Sequence, residues 1–168
     1  MSLFERTLQR AVEERARRAG AKDLITREEL AAEMSPFGTL RWYLHPELEA
    51  PSTRALYFCE IEIPPGSRSG ALFCQGGFVH FVLEGIGHTT VDGKAHEWEP
   101  EDVIVIPIRE DGVTFQHFNT GDDFARMVIA WPNHDSAVGV EGGVAMAIRE
   151  AAPEYRSTQR VPAGGGPA

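Results

Sequence analysis

Hydrophobic and polar positions follow two different periods along the chain. In residues 3 to 18, Leu3, Phe4, Leu8 and Val12 recur at helical spacing among arginines and glutamates. This predicts a helix with a narrow apolar stripe. Ser2 and Glu5 have the spacing of a capping box, and Gly20 is placed to end the helix. Thr26 and Glu29 repeat that spacing and predict a second, short helix that stops before Ser35-Pro36. A short amphipathic helix is marginal by itself, so the stripe is expected to dock on the barrel or on a partner subunit.

From about residue 38 the period changes to two. Tyr57, Cys59, Ile61 and Ile63 alternate with Phe58, Glu60 and Glu62, which predicts a strand with one buried and one largely polar face. Pro64-Pro65-Gly66 ends that run. FVHFVL (78–83), VIVIP (103–107), TFQHF (114–118) and RMVIAW (126–131) read as further strands. Asp92-Gly93, between HTTV and KAHEW, carries the sequence of a two-residue hairpin turn. Many short strands at regular spacing predict an antiparallel sandwich or barrel. The expected organisation is an N-terminal helical segment (1–37), a barrel (38–150) and a C-terminal extension (151–168). The closing VPAGGGPA is expected to be disordered from its composition. No internal repeat and no second domain are read.

Composition narrows the function classes. The 168 residues carry a formal charge of −9, and phosphate binding needs a positive patch, so no nucleic-acid partner is expected. Arg15, Arg17 and Arg18 lie beside Glu13 and Glu14 and read as a solvated helix face. Two cysteines, Cys59 and Cys74, make no disulfide framework. Residues 1 to 18 show no apolar leader core and no run has the length of a membrane span. The expectation is a cytoplasmic protein with reduced thiols and no membrane association.

The stretch from PPGSRSG through FVHFVLEGIGHTTVDGKAHEWEPEDVIVIP to FQHFNTGDD resembles the cupin core, over roughly residues 55 to 131. The first cupin motif is Gly, five residues, His-x-His, three or four residues, Glu, six residues, Gly. Gly66, Leu72, Cys74, Phe78 and Gly85 fall on that frame without a gap. The second motif is Gly, five residues, Pro, then Gly, two residues, His, three residues, Asn. Glu101 and Pro107 fit its first part; Gly112, Phe115 and Asn119 fit its second, with three extra residues after Pro107. The resemblance implies an all-β fold, the cupin double-stranded β-helix or jelly-roll barrel, preceded by N-terminal helices. It implies inherited metal chemistry far less, because the departures fall on the ligand positions.

Strand alternation shows what remains inside. Residues 72 and 74 share a face, as do 78 and 80, and 115 and 117. If the family's ligand positions point inward, so do Cys74, His80 and His117. One thiolate and two imidazoles suit zinc, iron or copper, at a site moved one pleat from the family position. Two other readings stand beside it. Cys74 could be a nucleophile with His80 or His117 as its base. Alternatively the residues are core, and Leu72, Phe78 and Phe115 line an apolar pocket that uses no metal. Elsewhere, His88 and His96 are expected to be exposed beside the hairpin, His134 in a loop, and His45 at a barrel end. Glu84 should face outward, Asn119 should fix the turn after its strand, and Trp98 and Trp131 should lie in the core or an interface.

The resemblance implies three functions. Many cupins are iron dioxygenases that cleave oxidised aromatic rings, and an aromatic interior suits such a substrate. The hydroquinone-type dioxygenases pair a larger iron-bearing cupin chain with a smaller one lacking metal, and this chain is similar to the smaller kind in size and in its lost ligands. The third is a metal-free cupin that binds or isomerises a small molecule. The expected partners are a small aromatic substrate and a second chain, as a homodimer or with a second cupin subunit.

Overall fold

The protein is described here as a computed structural model covering residues 1–134 and 144–159. Helix α1 (Leu3–Ala19) is followed by a single 3-10 turn (Arg27–Glu29) and eleven strands: β1 (Glu33–Met34), β2 (Thr39–Leu44), β3 (Leu56–Ile63), β4 (Ala71–Cys74), β5 (Phe78–Glu84), β6 (Gly87–Val91), β7 (Lys94–Trp98), β8 (Val103–Ile106), β9 (Val113–Asn119), β10 (Ala125–Pro132) and β11 (Ala147–Glu150). A short helix α2 (Pro153–Gln159) comes last.

The strands form two antiparallel sheets, ordered β1-β2-β3-β10-β5-β8 and β11-β4-β9-β6-β7. From β3 onward the chain passes back and forth between them, with the β6–β7 hairpin the one consecutive pair within a sheet. This is a jelly-roll arrangement, and each crossing turns one face of a strand inward. The inward side chains of both sheets, Ile61, Ile63, Ile106, Met127 and Ile129 among them, make one continuous core.

The turns explain why the motif spacing survives without its ligands. Gly66, Gly85 and Gly112, three glycines of the frame, have left-handed backbone with φ of 65°, 87° and 77°, a region open to glycine at little cost. Glu101 stands where the frame has its fourth glycine and keeps φ 77°. Asp92 and Gly93 have φ 49° and 81°, the two positive angles of a type I′ hairpin turn, and Val91 pairs with Lys94 across it. Asn119 acts as expected. Its Nδ2 reaches the carbonyls of Ile63, Pro64 and Asp123 at 2.7–3.0 Å, and its Oδ1 accepts from the Gly121 N–H.

The capping box of α1 forms as read, with Ser2 and Glu5 bonding each other's backbone N–H. The one expected at Thr26 does not. Thr26 makes no side-chain cap bond, and Glu29 pairs instead with Lys22 Nζ at 2.8 Å, so the segment closes one 3-10 turn and no helix. The apolar stripe of α1 docks on nothing among the described residues, where none of the helix's residues is buried. β1, β11 and α2 had no separate signal in the periodicity. The VPAGGGPA tail lies outside the described residues.

Candidate functional site

His80 stands in the middle of β5, where Phe78, His80 and Val82 turn inward and Val79 and Phe81 outward. It pairs with Ile104 on β8 and Ile129 on β10. His117 lies on β9, opposite Thr89 of β6. Its backbone is fixed on both sides, its N–H donating to Ser69 Oγ at 3.0 Å and its carbonyl accepting from the Ser69 N–H at 2.9 Å. Both imidazoles are 0% exposed, and their ring centroids are 4.7 Å apart at an interplanar angle of 68°. Phe115 packs against both, at 5.2 and 5.4 Å, and Phe37 meets His117 edge-on at 6.0 Å.

The hydrogen bonding of this pair is lopsided. Trp98 Nε1, which can only donate, bonds Thr89 Oγ1 at 3.0 Å, and Thr89 Oγ1 lies 2.7 Å from His117 Nδ1. Thr89 Oγ1 has one proton and a second lone pair, so it donates to Nδ1 or accepts from it according to the His117 tautomer. His117 Nε2 and both ring nitrogens of His80 have no hydrogen-bond partner among the described residues. Burial pushes the His117 pKa down to about 3. Burial first, and then the neighbouring His117, hold His80 well below the usual histidine range. Both rings are therefore neutral at pH 7.

The other inward candidates lie apart from this pair. Leu72, Cys74, Phe78 and Phe115, at the family's ligand positions, are all buried. Leu72, Phe78 and Phe115 offer no donor atom. Cys74 pairs with Val113, four residues along β9 from His117. Four residues of strand are about 13 Å, so the thiol shares the interior with His117 without sharing its level. Its Sγ accepts from the Gly76 N–H at 3.3 Å, and burial pushes its pKa up to about 11. Among the described residues no three His, Cys, Asp or Glu side chains gather closely enough to hold a metal ion. The register of β4 on β9 thus does not bring Cys74 level with His117, and the described residues do not gather Cys74, His80 and His117 as a metal set. The metal implied by the cupin resemblance does not fit the described residues: three of the four family positions lack donors, Cys74 alone cannot hold a cation, and the histidine pair has no third ligand among the described residues.

Aromatic rings connect the pair to one end of the barrel. Phe78 stacks on Trp131 at 4.8 Å and Trp131 on Tyr57 at 4.8 Å, nearly parallel in the second case. Trp42 and His45, both half-buried, meet Tyr57 edge-on. Trp131 Nε1 is another buried donor with no partner among the described residues. His45 thus lies at a barrel end as expected, and Trp98 and Trp131 lie in the core. His96 and His134 are exposed, whereas His88 is half-buried and stacked on Phe118 at 4.7 Å.

A second buried polar centre was not expected. Glu60, on the strand face read as largely polar and opposite the buried one, is 1% exposed. Arg27 bonds both its oxygens at 3.0 and 3.2 Å, Arg126 approaches at 3.3 Å and Arg41 at 3.5 Å. Glu62 accepts from Arg27 and Arg41, and Glu84 accepts from Arg126.

No family profile and no curated protein sequence matches this chain. Solved structures do match its fold. The polyketide cyclase RemF from Streptomyces resistomycificus superposes with a TM-score of 0.59 at 17% identity, covering 83% of this chain and 94% of that one. A cupin-like protein from Thermotoga maritima superposes at 0.54 and 19%, covering 84% and 100%. Salicylate 1,2-dioxygenase from Pseudoaminobacter salicylatoxidans superposes at 0.56 and 16%, with 73% of this chain matching 31% of that one. The fold is an all-β cupin barrel with an N-terminal helix.

Proposed function

We propose that this chain is a metal-independent cupin that takes a small aromatic molecule into its barrel, with His80 and His117 as the polar centre of the site. The observation that carries the reading is the set of three imidazole nitrogens buried without partners among the described residues. Each such group left unpaired costs about 1–3 kcal/mol, and buried polar atoms in folded proteins are nearly always satisfied. A ring bearing hydroxyl or carbonyl groups would satisfy them, and the walls of Phe78, Phe115 and Trp131 suit a flat apolar body. The pair is packed shut, so binding requires the stacked rings toward Tyr57 to part. Neutral imidazoles with depressed pKa values are weak bases. They suit hydrogen-bond recognition and short proton transfers within a bound molecule, as in an isomerisation, better than abstraction of a proton into solvent.

The test is a thermal-shift and tryptophan-fluorescence titration with hydroxybenzoates and fused-ring phenols. At least one should raise the melting temperature, with or without chelator, and bind His80→Leu and His117→Phe at least tenfold more weakly. A panel in which nothing binds the wild type better than these variants would sink the reading.

A second reading is the metal-free subunit of a two-chain, ring-cleaving cupin dioxygenase. What favours it is apolar surface left uncovered, on α1 and on the outer face of β5 and β8. Native mass measurement of the complex from its source organism decides it: a larger iron-bearing cupin chain in fixed ratio is expected, and its absence ends this reading.

A further inference from the structure

Two apolar surfaces of this chain have no partner among the described residues. The first is the stripe of α1, where Leu3, Phe4, Leu8 and Val12 are 54–76% exposed. The second is on the outer face of the six-stranded sheet. There Val79 pairs with Val105 and Phe81 with Val103, and all four are exposed, Val103 and Val105 by more than half. Half-buried Val128 and Ala130 of β10 continue the patch. An antiparallel sheet that faces water normally carries polar residues on that side. A patch of this kind on an edge strand invites association.

We propose that α1 of one copy packs on the β5–β8 face of a second copy, and reciprocally, to make a symmetric homodimer. Shape and charge both point to a second copy as the occupant. Helix on sheet is a standard layer, and the stripe, ten residues of helix or about 14 Å from Leu3 to Val12, matches a patch two to three strands wide. α1 carries five arginines against three glutamates, a net +2, in a chain of net −9, which leaves −11 for the rest. The turn that leads into Val103 carries the exposed carboxylates of Glu99, Glu101 and Asp102, while Glu84 beyond Phe81 is paired with Arg126. An arginine-rich helix complements that acidic turn, whereas two such sheet faces would repel each other. The helix is also held as an arm. Near its C-terminal end Arg17 grips the carbonyls of Pro51 and Ser52 at 2.6 and 3.2 Å, and the half bearing the stripe projects beyond that anchor. In a reciprocal dimer the contact occurs twice, so each need supply only half of the roughly 800 Å² per partner of a standard interface.

Sedimentation velocity at micromolar concentration should give a dimer for the wild type. It should give monomers for Phe4→Asp with Leu8→Asp, and for Val103→Asp with Val105→Asp. All these side chains are exposed, so both variants should keep the wild-type circular dichroism, which separates lost association from lost folding. The pairing is read by mixing two single variants, Leu8→Cys and Val105→Cys, in a thiol–disulfide buffer. The mixed 8–105 disulfide should dominate. A monomeric wild type overturns the proposal, as does a dimer that survives either charged pair. So does a mixture yielding mainly 8–8 or 105–105 links, which would mean like surfaces pair with like.

Discussion

Two of the places where the molecule buries polar side chains are built in opposite ways. On the outer face of the six-stranded sheet, Glu60 is covered by Arg27, Arg41 and Arg126, and Glu62 and Glu84 complete the network. Between the sheets, His117 has one side-chain partner, Thr89, and the other three ring nitrogens of the His80–His117 pair have none among the described residues. The first centre meets its own needs and ties the Arg27 turn to the sheet. The second is held in place by neighbours that leave its donors and acceptors open. A satisfied buried network is a structural device, whereas an unsatisfied one that persists calls for an explanation outside the apo chain.

The largest expected contrast between the two is with pH. In the unfolded chain both imidazoles gain a proton below about pH 6.5. In the barrel both pKa values lie lower, that of His117 at about 3. Between these limits the unfolded state binds more protons, so stability falls as pH drops through 6.5. For two fully buried rings the loss from pH 7 to pH 5 is about 4 kcal/mol, at about 1.4 kcal/mol per group per pH unit below 6.5. Glu14, Glu84 and Glu150 have lowered pKa values through their arginine partners, so they titrate below this window. Urea unfolding across the range measures the slope, and His117→Phe should halve it. A flat profile between pH 7 and 5 would mean that the rings are not buried as a neutral pair.

Breaking the satisfied centre should cost nearly as much. Glu60→Ala leaves three guanidinium groups facing a site without its carboxylate and should destabilise by about 3 kcal/mol, as removal of one partner from a buried ionic network does. A change below about 1 kcal/mol in the denaturant midpoint would reduce the network to ordinary surface pairs. The orphaned centre should respond with the opposite sign. His80→Leu removes two unpartnered nitrogens and keeps an apolar body of comparable size, so the protein should gain about 1–2 kcal/mol. A loss of stability on that substitution would show that His80 is satisfied in the folded protein and would undo the comparison.

How far each centre could be read in advance follows from what alternation carries. Period two tells which side of a sheet a residue faces, so the inward placement of His80 and His117 was legible. It does not give the level along the barrel, and Cys74, on the right face, lies about four residues away in register from His117. Nor does it see across the chain. Glu60 looks solvated in its own strand, and the arginine that bonds it most closely comes from residue 27. The frame of glycines and turns was legible because backbone conformation, unlike a ligand set, must be kept for the strands to cross between sheets. The stacked column of Tyr57 and Trp131 was missed because its members come from separate strands and meet only in register.

The smallest expected effect tests that frame directly. Glu99, Pro100, Glu101 and Asp102 form a tight turn in which the Asp102 N–H donates to the Glu99 carbonyl at 3.2 Å. Asp102 Oδ2 accepts in return from the Glu99 N–H at 2.9 Å. Proline at the second position and a positive φ at the third are the marks of a type II turn, whose third residue is ordinarily glycine. Glu101 instead holds φ 77°, which for a residue with a Cβ costs roughly 1 kcal/mol. Its N–H is tied to the Val82 carbonyl at 3.0 Å, so the register of β8 against β5 keeps it there. Glu101→Gly should relieve the strain at the expense of a more flexible unfolded chain, for a net gain of about 0.5 kcal/mol. Thermal unfolding at neutral pH reads it as a rise of a degree or two for a domain of this size. A fall would mean that the Glu101 side chain contributes more than its backbone conformation costs, and that this turn is kept for its carboxylate and not for its geometry.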